Sequence, residues 1–136
     1  MTFVVDASVA LAWCLDDERS AAADAILERL VSDPAIVPAI WPFEVANGLR
    51  SAERRGRITM VDALRSALVL RTLPIEIEPA DVATTLDGCA AIARRLDLSV
   101  YDAAYVSLAI ARRLPLATAD ERVRRACTAA GVEVIG

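Results

Sequence analysis

Four carboxylates stand where this chain could do chemistry: Asp6, Glu44, Asp102 and Asp120. Each lies at the edge of an apolar segment. Asp6 closes Phe3-Val4-Val5, and Glu44 sits inside Trp41-Pro42-Phe43-Glu44-Val45. Asp102 follows Leu98-Ser99-Val100-Tyr101, and Asp120 follows Leu116-Ala117-Thr118-Ala119. The chain has no histidine and no lysine, so the acids are the groups left for catalysis. Carboxylate oxygens are hard ligands that suit Mg²⁺, with Mn²⁺ as the alternative. The chemistry they point to is metal-assisted hydrolysis of a phosphodiester.

Taken singly, each acid has an ordinary explanation. Asp is a favoured N-cap, which suits Asp6 and Asp120 before a helix. Ser99-Val100-Tyr101-Asp102 has the pattern of a capping box. Glu44, two residues past Pro42, suits the positive end of a helix dipole. Two observations favour a shared site. Glu44 and Asp102 have strongly apolar neighbours, where an acid is costly unless paired or bound to a cation. Only arginine or a metal is available to neutralise them, and four acids gathered at one sheet edge would repel each other without a divalent ion. Ser8, Asn47 and Thr118 are the supporting polar groups. Ser8 follows Asp6 by two residues, Asn47 shares a helical face with Glu44, and Thr118 precedes Asp120. Asp16, Asp17, Glu18 and Asp97 read as exposed loop acids, and Trp13 and Trp41 as packing residues.

The elements that must position these groups alternate along the chain. Short apolar runs at 3–6, 35–37, 75–77, 116–117 and 132–135 read as strands. Helical patterns cover 8–15, 20–32, 42–55, 59–73, 80–96, 100–113 and 121–130. Thr59 is the expected cap of its helix, with Val61, Leu64, Leu68 and Leu73 near helical spacing; Gly56 and Gly131 are expected helix stops. Such a rhythm predicts an α/β fold, a three-layer α/β/α sandwich on a short-stranded, mainly parallel sheet. Ligands of such sheets lie beyond the carboxyl ends of the strands, where Asp6 and Asp120 are expected.

With 136 residues, one domain spanning 1–136 is expected. No apolar run approaches the roughly 18 residues of a membrane span, and the N-terminus lacks a basic leader. A cytoplasmic protein is expected. Cys14, Cys89 and Cys127 are widely spaced, which suggests reduced thiols rather than a zinc site. The net charge of −4 runs against nucleic-acid binding, but all fifteen basic residues are arginine. They cluster at Arg50/Arg54/Arg55/Arg57, Arg94/Arg95, Arg112/Arg113 and Arg122/Arg124/Arg125, and their planar forks suit phosphate. The plainer reading of any one cluster is a solvated helix face.

Four motifs in order resemble PIN-domain ribonucleases of the VapC toxin type. They are Val4-Val5-Asp6-Ala7-Ser8-Val9-Ala10-Leu11, Trp41-Pro42-Phe43-Glu44-Val45-Ala46-Asn47-Gly48-Leu49, Leu98-Ser99-Val100-Tyr101-Asp102-Ala103-Ala104-Tyr105 and Leu116-Ala117-Thr118-Ala119-Asp120-Glu121-Arg122. The resemblance covers the whole chain. It implies a PIN-like sandwich, a Mg²⁺-dependent endoribonuclease acting on RNA, a homodimer, and a cognate antitoxin that holds the toxin inactive. By motif match, Asp6, Glu44, Asp102 and Asp120 take the acidic positions, and Ser8, Asn47 and Thr118 the polar ones.

The mechanism expected of these residues is in-line attack by a metal-activated water. Asp6 and Asp102 would be the main Mg²⁺ ligands, Asp120 would complete the site, and Glu44 would orient or deprotonate the nucleophile. Leu11, Trp13, Leu15, Ile26 and Leu30 of the first two helices are candidates for an antitoxin groove, with packing on the sheet as the alternative. An aspartyl-phosphate hydrolase fits less well, because position 8 is Ser and no lysine is present. A non-catalytic PIN-like module that binds RNA or protein is the remaining alternative.

Overall fold

A computed structural model describes residues 1–136, in which five parallel strands form one sheet. The strands are β1 (Phe3–Val5), β2 (Ala35–Pro38), β3 (Ile75–Glu78), β4 (Leu116–Ala117) and β5 (Val134–Ile135), in spatial order β3-β2-β1-β4-β5. Successive strand side chains point to opposite faces. Phe3, Val4 and Val5 are nevertheless all fully buried, and every residue of β2 is buried too. Both faces of the sheet centre are therefore covered, as in the expected three-layer sandwich.

The covering helices are α1 (Ala7–Cys14), α2 (Ala21–Arg29), α3 (Trp41–Arg54), α4 (Met60–Leu70), α5 (Ala90–Leu96), α6 (Val100–Arg112) and α7 (Glu121–Ala130). None is long and apolar enough to cross a membrane. α6 packs on β1, β2 and β4 through buried Ala103, Tyr105, Val106 and Ala109. α1 crosses α3 so closely that a Cβ at Gly48 would lie 2.5 Å from Leu11 Cδ1. Glycine here brings α3, and Glu44 with it, up against the start of the chain.

The chain runs outward from β1 through β2 to β3, then returns to the opposite side of β1 with β4 and β5. Its direction of winding reverses between β1 and β4, and the crevice beyond these strand ends is the ligand position of such sheets.

Several local expectations are corrected. The helix expected over 80–96 contains a π-helical segment, Thr84–Cys89, before α5 begins. The inserted residue of a π turn shifts the facing of the helix, leaving Leu86 exposed while Cys89 is buried. The last strand starts at Val134 rather than 132, because the Val132 N–H closes α7 by donating to the Cys127 carbonyl at 2.9 Å. Gly131, at φ +75°, makes that turn possible. α4 forms where its periodicity predicts, and Thr59 and Asp62 close a full capping box. Its Val61, Leu64 and Leu68 nonetheless face outward.

The expected groove is corrected as well. Leu15, Ile26 and Leu30 are core residues, so most of the apolar set on the first two helices packs inside. A cleft of about 550 Å³ does lie between α1, α2 and α4, but its apolar lining is Trp13, Leu27, Ile58, Val69, Leu70 and Leu73, and the charged Asp16, Asp17, Arg57, Asp62 and Arg65 line it as well.

Candidate active site

Asp6 occupies the N-cap position of α1, yet its carboxylate makes no capping bond. Its Oδ2 accepts instead from Thr118 Oγ1 at 2.7 Å and from Ser8 Oγ at 3.1 Å. The same hydroxyls reach the other side of the crevice. Thr118 Oγ1 accepts from the Asp120 amide at 3.0 Å, and Ser8 Oγ from the Ala119 amide at 3.0 Å. Ser8 and Thr118 thus tie the β1–α1 junction to the β4–α7 junction. Thr118, expected to hold the Asp120 carboxylate, accepts from the Asp120 backbone amide instead, and its proton goes to Asp6.

Asp102 lies half-buried in the first turn of α6. Ser99 Oγ accepts from its amide at 3.1 Å, which is one half of a capping box. The returning half is absent, in contrast to Thr59 and Asp62, where both halves form. The Asp102 carboxylate therefore does not bond back to the Ser99 backbone, although the Ser99 side chain helps to stabilise its charge. Asp120 does cap, its Oδ1 accepting from the Arg122 and Val123 amides at 2.8 and 3.4 Å. That leaves its second oxygen for other work.

Glu44 is in the first turn of α3, and its Oε1 accepts from the Tyr105 hydroxyl at 2.6 Å. Asn47, expected to hold Glu44, is exposed instead. Tyr105 went unnoticed in the sequence. The signal was present, because a buried phenol needs a hydrogen-bond partner and Tyr105 stands one helical turn after Asp102 in an apolar run.

The electrostatics connect the four acids. Burial pushes Asp6, Glu44 and Asp102 above the ordinary carboxylate range. Neighbouring negative charge adds to this: Asp102 acts on Asp6, Asp6 and Asp102 on Glu44, and Asp120 on Asp102. The hydroxyls of Thr118, Ser8 and Tyr105 pull the other way, and on Asp102 so do the Ser99 side chain and then the Arg122 charge. None of the four acids belongs to an ion pair. Several arginines are already engaged elsewhere: Arg57 with Asp17 and Glu18, Arg112 with Glu78, and Arg124 with Glu121.

Uncompensated, partly desolvated carboxylates with unshared oxygens fit a hard divalent cation. No three acids stand at the spacing of a finished metal cage.

Two exposed aromatics neighbour site acids in the sequence. Phe43 is 74% exposed and Tyr101 60%, whereas Phe3 and Tyr105 are fully buried. Phe43 directly precedes Glu44 and Tyr101 directly precedes Asp102, and both line one apolar cavity of about 470 Å³.

Comparison with known proteins supplies the family and the fold. The PIN domain family matches residues 3–129. The chain is 35% identical over 120 residues to a VapC ribonuclease of Mycobacterium bovis, covering 88% of this chain and 87% of that protein. The same figures hold for ribonuclease VapC9 of Mycobacterium tuberculosis. Among solved structures, a Pyrobaculum aerophilum protein superposes with a TM-score of 0.72 at 21% identity, over 98% of this chain and 92% of that one. VapBC2 of Rickettsia felis, solved with a fragment of promoter DNA, gives 0.71 at 13% identity, over 98% and 97%. These two likenesses concern the fold.

Proposed function

The chain belongs to the PIN domain family, and from that premise we propose that it is a Mg²⁺-dependent endoribonuclease, the toxin of a toxin–antitoxin pair in the cytoplasm. The observation that carries the reading is the pair Asp6 and Asp102, two desolvated carboxylates that form no ion pair, at the switch point of the sheet. The 35% identity to VapC ribonucleases over most of both chains supports the same substrate class.

Asp6 and Asp102 would hold the ion, with Asp120 contributing its uncapped oxygen. Ser8 and Thr118 keep one Asp6 oxygen occupied, so the other alone points to the ligand. A bound divalent cation lowers the pKa of water and offsets charge on the phosphoryl group. Glu44, held by Tyr105 through Oε1, keeps Oε2 to orient the attacking water and take its proton. Arg122, the cation beside Asp102, is placed to meet the RNA backbone.

The partners follow from two surfaces. The cleft between α1, α2 and α4 fits an antitoxin segment, as one apolar helix face lies in a groove. The outward Val61, Leu64 and Leu68 of α4 and Val82 and Leu86 before α5 leave apolar area suited to a homodimer.

The test is cleavage of total RNA by purified, antitoxin-free protein with Mg²⁺, with Mn²⁺ and with EDTA, and with Asp6→Asn as control. Discrete metal-dependent fragments that vanish in the variant are expected. Binding of RNA without cleavage under either metal would replace this reading with a non-catalytic module.

A further inference from the structure

We propose that Tyr105 is a positioning residue of the active site, whose hydroxyl holds the Glu44 carboxylate in a fixed place relative to Asp102 and Asp6. The inference rests on the nuclease reading and adds a residue to which the motif match assigns no role. Tyr105 is fully buried, and its hydroxyl donates to Glu44 Oε1 at 2.6 Å across 61 positions of sequence. Donor and acceptor sit on different helices, α6 and α3.

The placement on α6 matters. Residues three apart on a helix share a face, so Tyr105 and Asp102 project from one side of α6, one turn apart. A bond from Tyr105 to Glu44 therefore sets the separation of Glu44 from Asp102. The Ala7 amide, next to Asp6 at the start of α1, also faces this hydroxyl. One phenol oxygen thus references three segments that each carry an acid.

The bond also limits what Glu44 can do. A glutamate side chain has three rotatable torsions, and in the first turn of a helix it would otherwise sweep toward solvent. Held by Oε1, it presents only Oε2 to the crevice. The plainer alternative is that Glu44 merely satisfies a buried phenol. The two differ in outcome, because a packing role is independent of Glu44 whereas a positioning role acts through it.

The decisive experiment is a double-mutant cycle with Tyr105→Phe, which keeps the ring, in the wild-type and Glu44→Gln backgrounds. In the wild-type background kcat is expected to fall about tenfold with KM for RNA unchanged, the effect of one hydrogen bond to a charged group. In the Glu44→Gln background the same change costs nothing further. An unaltered kcat, or an equal loss in both backgrounds, overturns the inference. Absence of metal-dependent cleavage by the wild type defeats the nuclease reading separately. Calorimetric titration with Mn²⁺ completes the test: Tyr105→Phe is expected to leave the affinity unchanged, because Tyr105 bonds Glu44 and not the acids proposed to hold the ion, and a severalfold loss of affinity, the mark of a general disturbance of the site, overturns the inference.

Discussion

The Thr118 hydroxyl donates to Asp6 Oδ2 at 2.7 Å while accepting from the Asp120 amide at 3.0 Å, joining acids 114 positions apart in sequence (120 − 6) through one oxygen atom. Both Thr118 and Asp6 are buried. Thr118→Val keeps the shape and removes the donor, so Asp6 loses its shortest hydrogen bond in a site already costly to charge. Stability is expected to fall by about 1–3 kcal/mol, and cleavage by about tenfold. Thr118→Ser, which restores the hydroxyl, is expected to recover most of the activity. Urea unfolding and RNA cleavage measured on both variants check this.

Asp6→Asn separates function from stability. Its amide oxygen still accepts from Ser8 and Thr118, so the fold is kept, while cleavage is expected to fall at least about 100-fold. Because burial raises the folded-state pKa of Asp6, the folded protein binds that proton more tightly than the unfolded chain. The stability it contributes is full below the ordinary carboxylate pKa and is lost as pH rises through the raised value. In metal-free buffer the variant therefore melts higher than wild type at pH 8, by a few degrees if the gain is about 1 kcal/mol. The difference shrinks to nothing below about pH 4, where both side chains are neutral. An equal gain at every pH contradicts this account.

Much of the site was legible because local chemistry sufficed. An apolar run ended by an acid gave β1 and Asp6, and the reversal of strand order put Asp6 and Asp120 at one crevice. What stayed hidden depends on distant parts of the chain. Thr59-Met60-Val61-Asp62 and Ser99-Val100-Tyr101-Asp102 share one capping pattern, yet only the first closes in both directions. Nothing within four residues distinguishes them; Asp102 differs in what surrounds it after folding. Tyr105 and Glu44 meet only through the packing of α6 and α3. Periodicity located α4 but not its facing, since a stripe of Val61, Leu64 and Leu68 reads the same inward or outward.

Metal binding is expected to reverse the repulsion among the acids. A ligand that binds only the folded state stabilises it by about 2.7 kcal/mol at one hundred times its Kd. Adding Mg²⁺ or Mn²⁺ to metal-free protein is therefore expected to raise Tm, and EDTA to reverse the rise. Asp6→Asn and Asp102→Asn should each remove most of the shift, whereas Asp16→Asn, at an exposed position in the 3-10 turn beyond the end of α1, should leave it intact. Differential scanning fluorimetry with each metal suffices. A shift that survives both substitutions places the ion elsewhere.

Phe43 and Tyr101 give the substrate its remaining handle. Each directly precedes a site acid in sequence, each is more than half exposed, and both line one cavity, whose lining includes Glu78, Asp81 and Arg112 but none of the four site acids. Flat aromatic faces stack on unpaired bases, at about 1–3 kcal/mol per base. A phosphodiester held at the acids would bring its flanking bases within reach of these rings. Phe43→Ala and Tyr101→Ala are therefore expected to raise KM for a short single-stranded RNA by roughly five- to hundredfold with kcat largely kept. A duplex of the same sequence, whose bases are already stacked, should bind no better to wild type than to the variants. Unchanged KM for both variants, together with a loss of dimer in light scattering, would instead assign these rings to contact with a second copy of the chain. Steady-state cleavage of the two RNAs separates the outcomes, because stacking loss weakens binding of one strand whereas dimer loss depends on protein concentration.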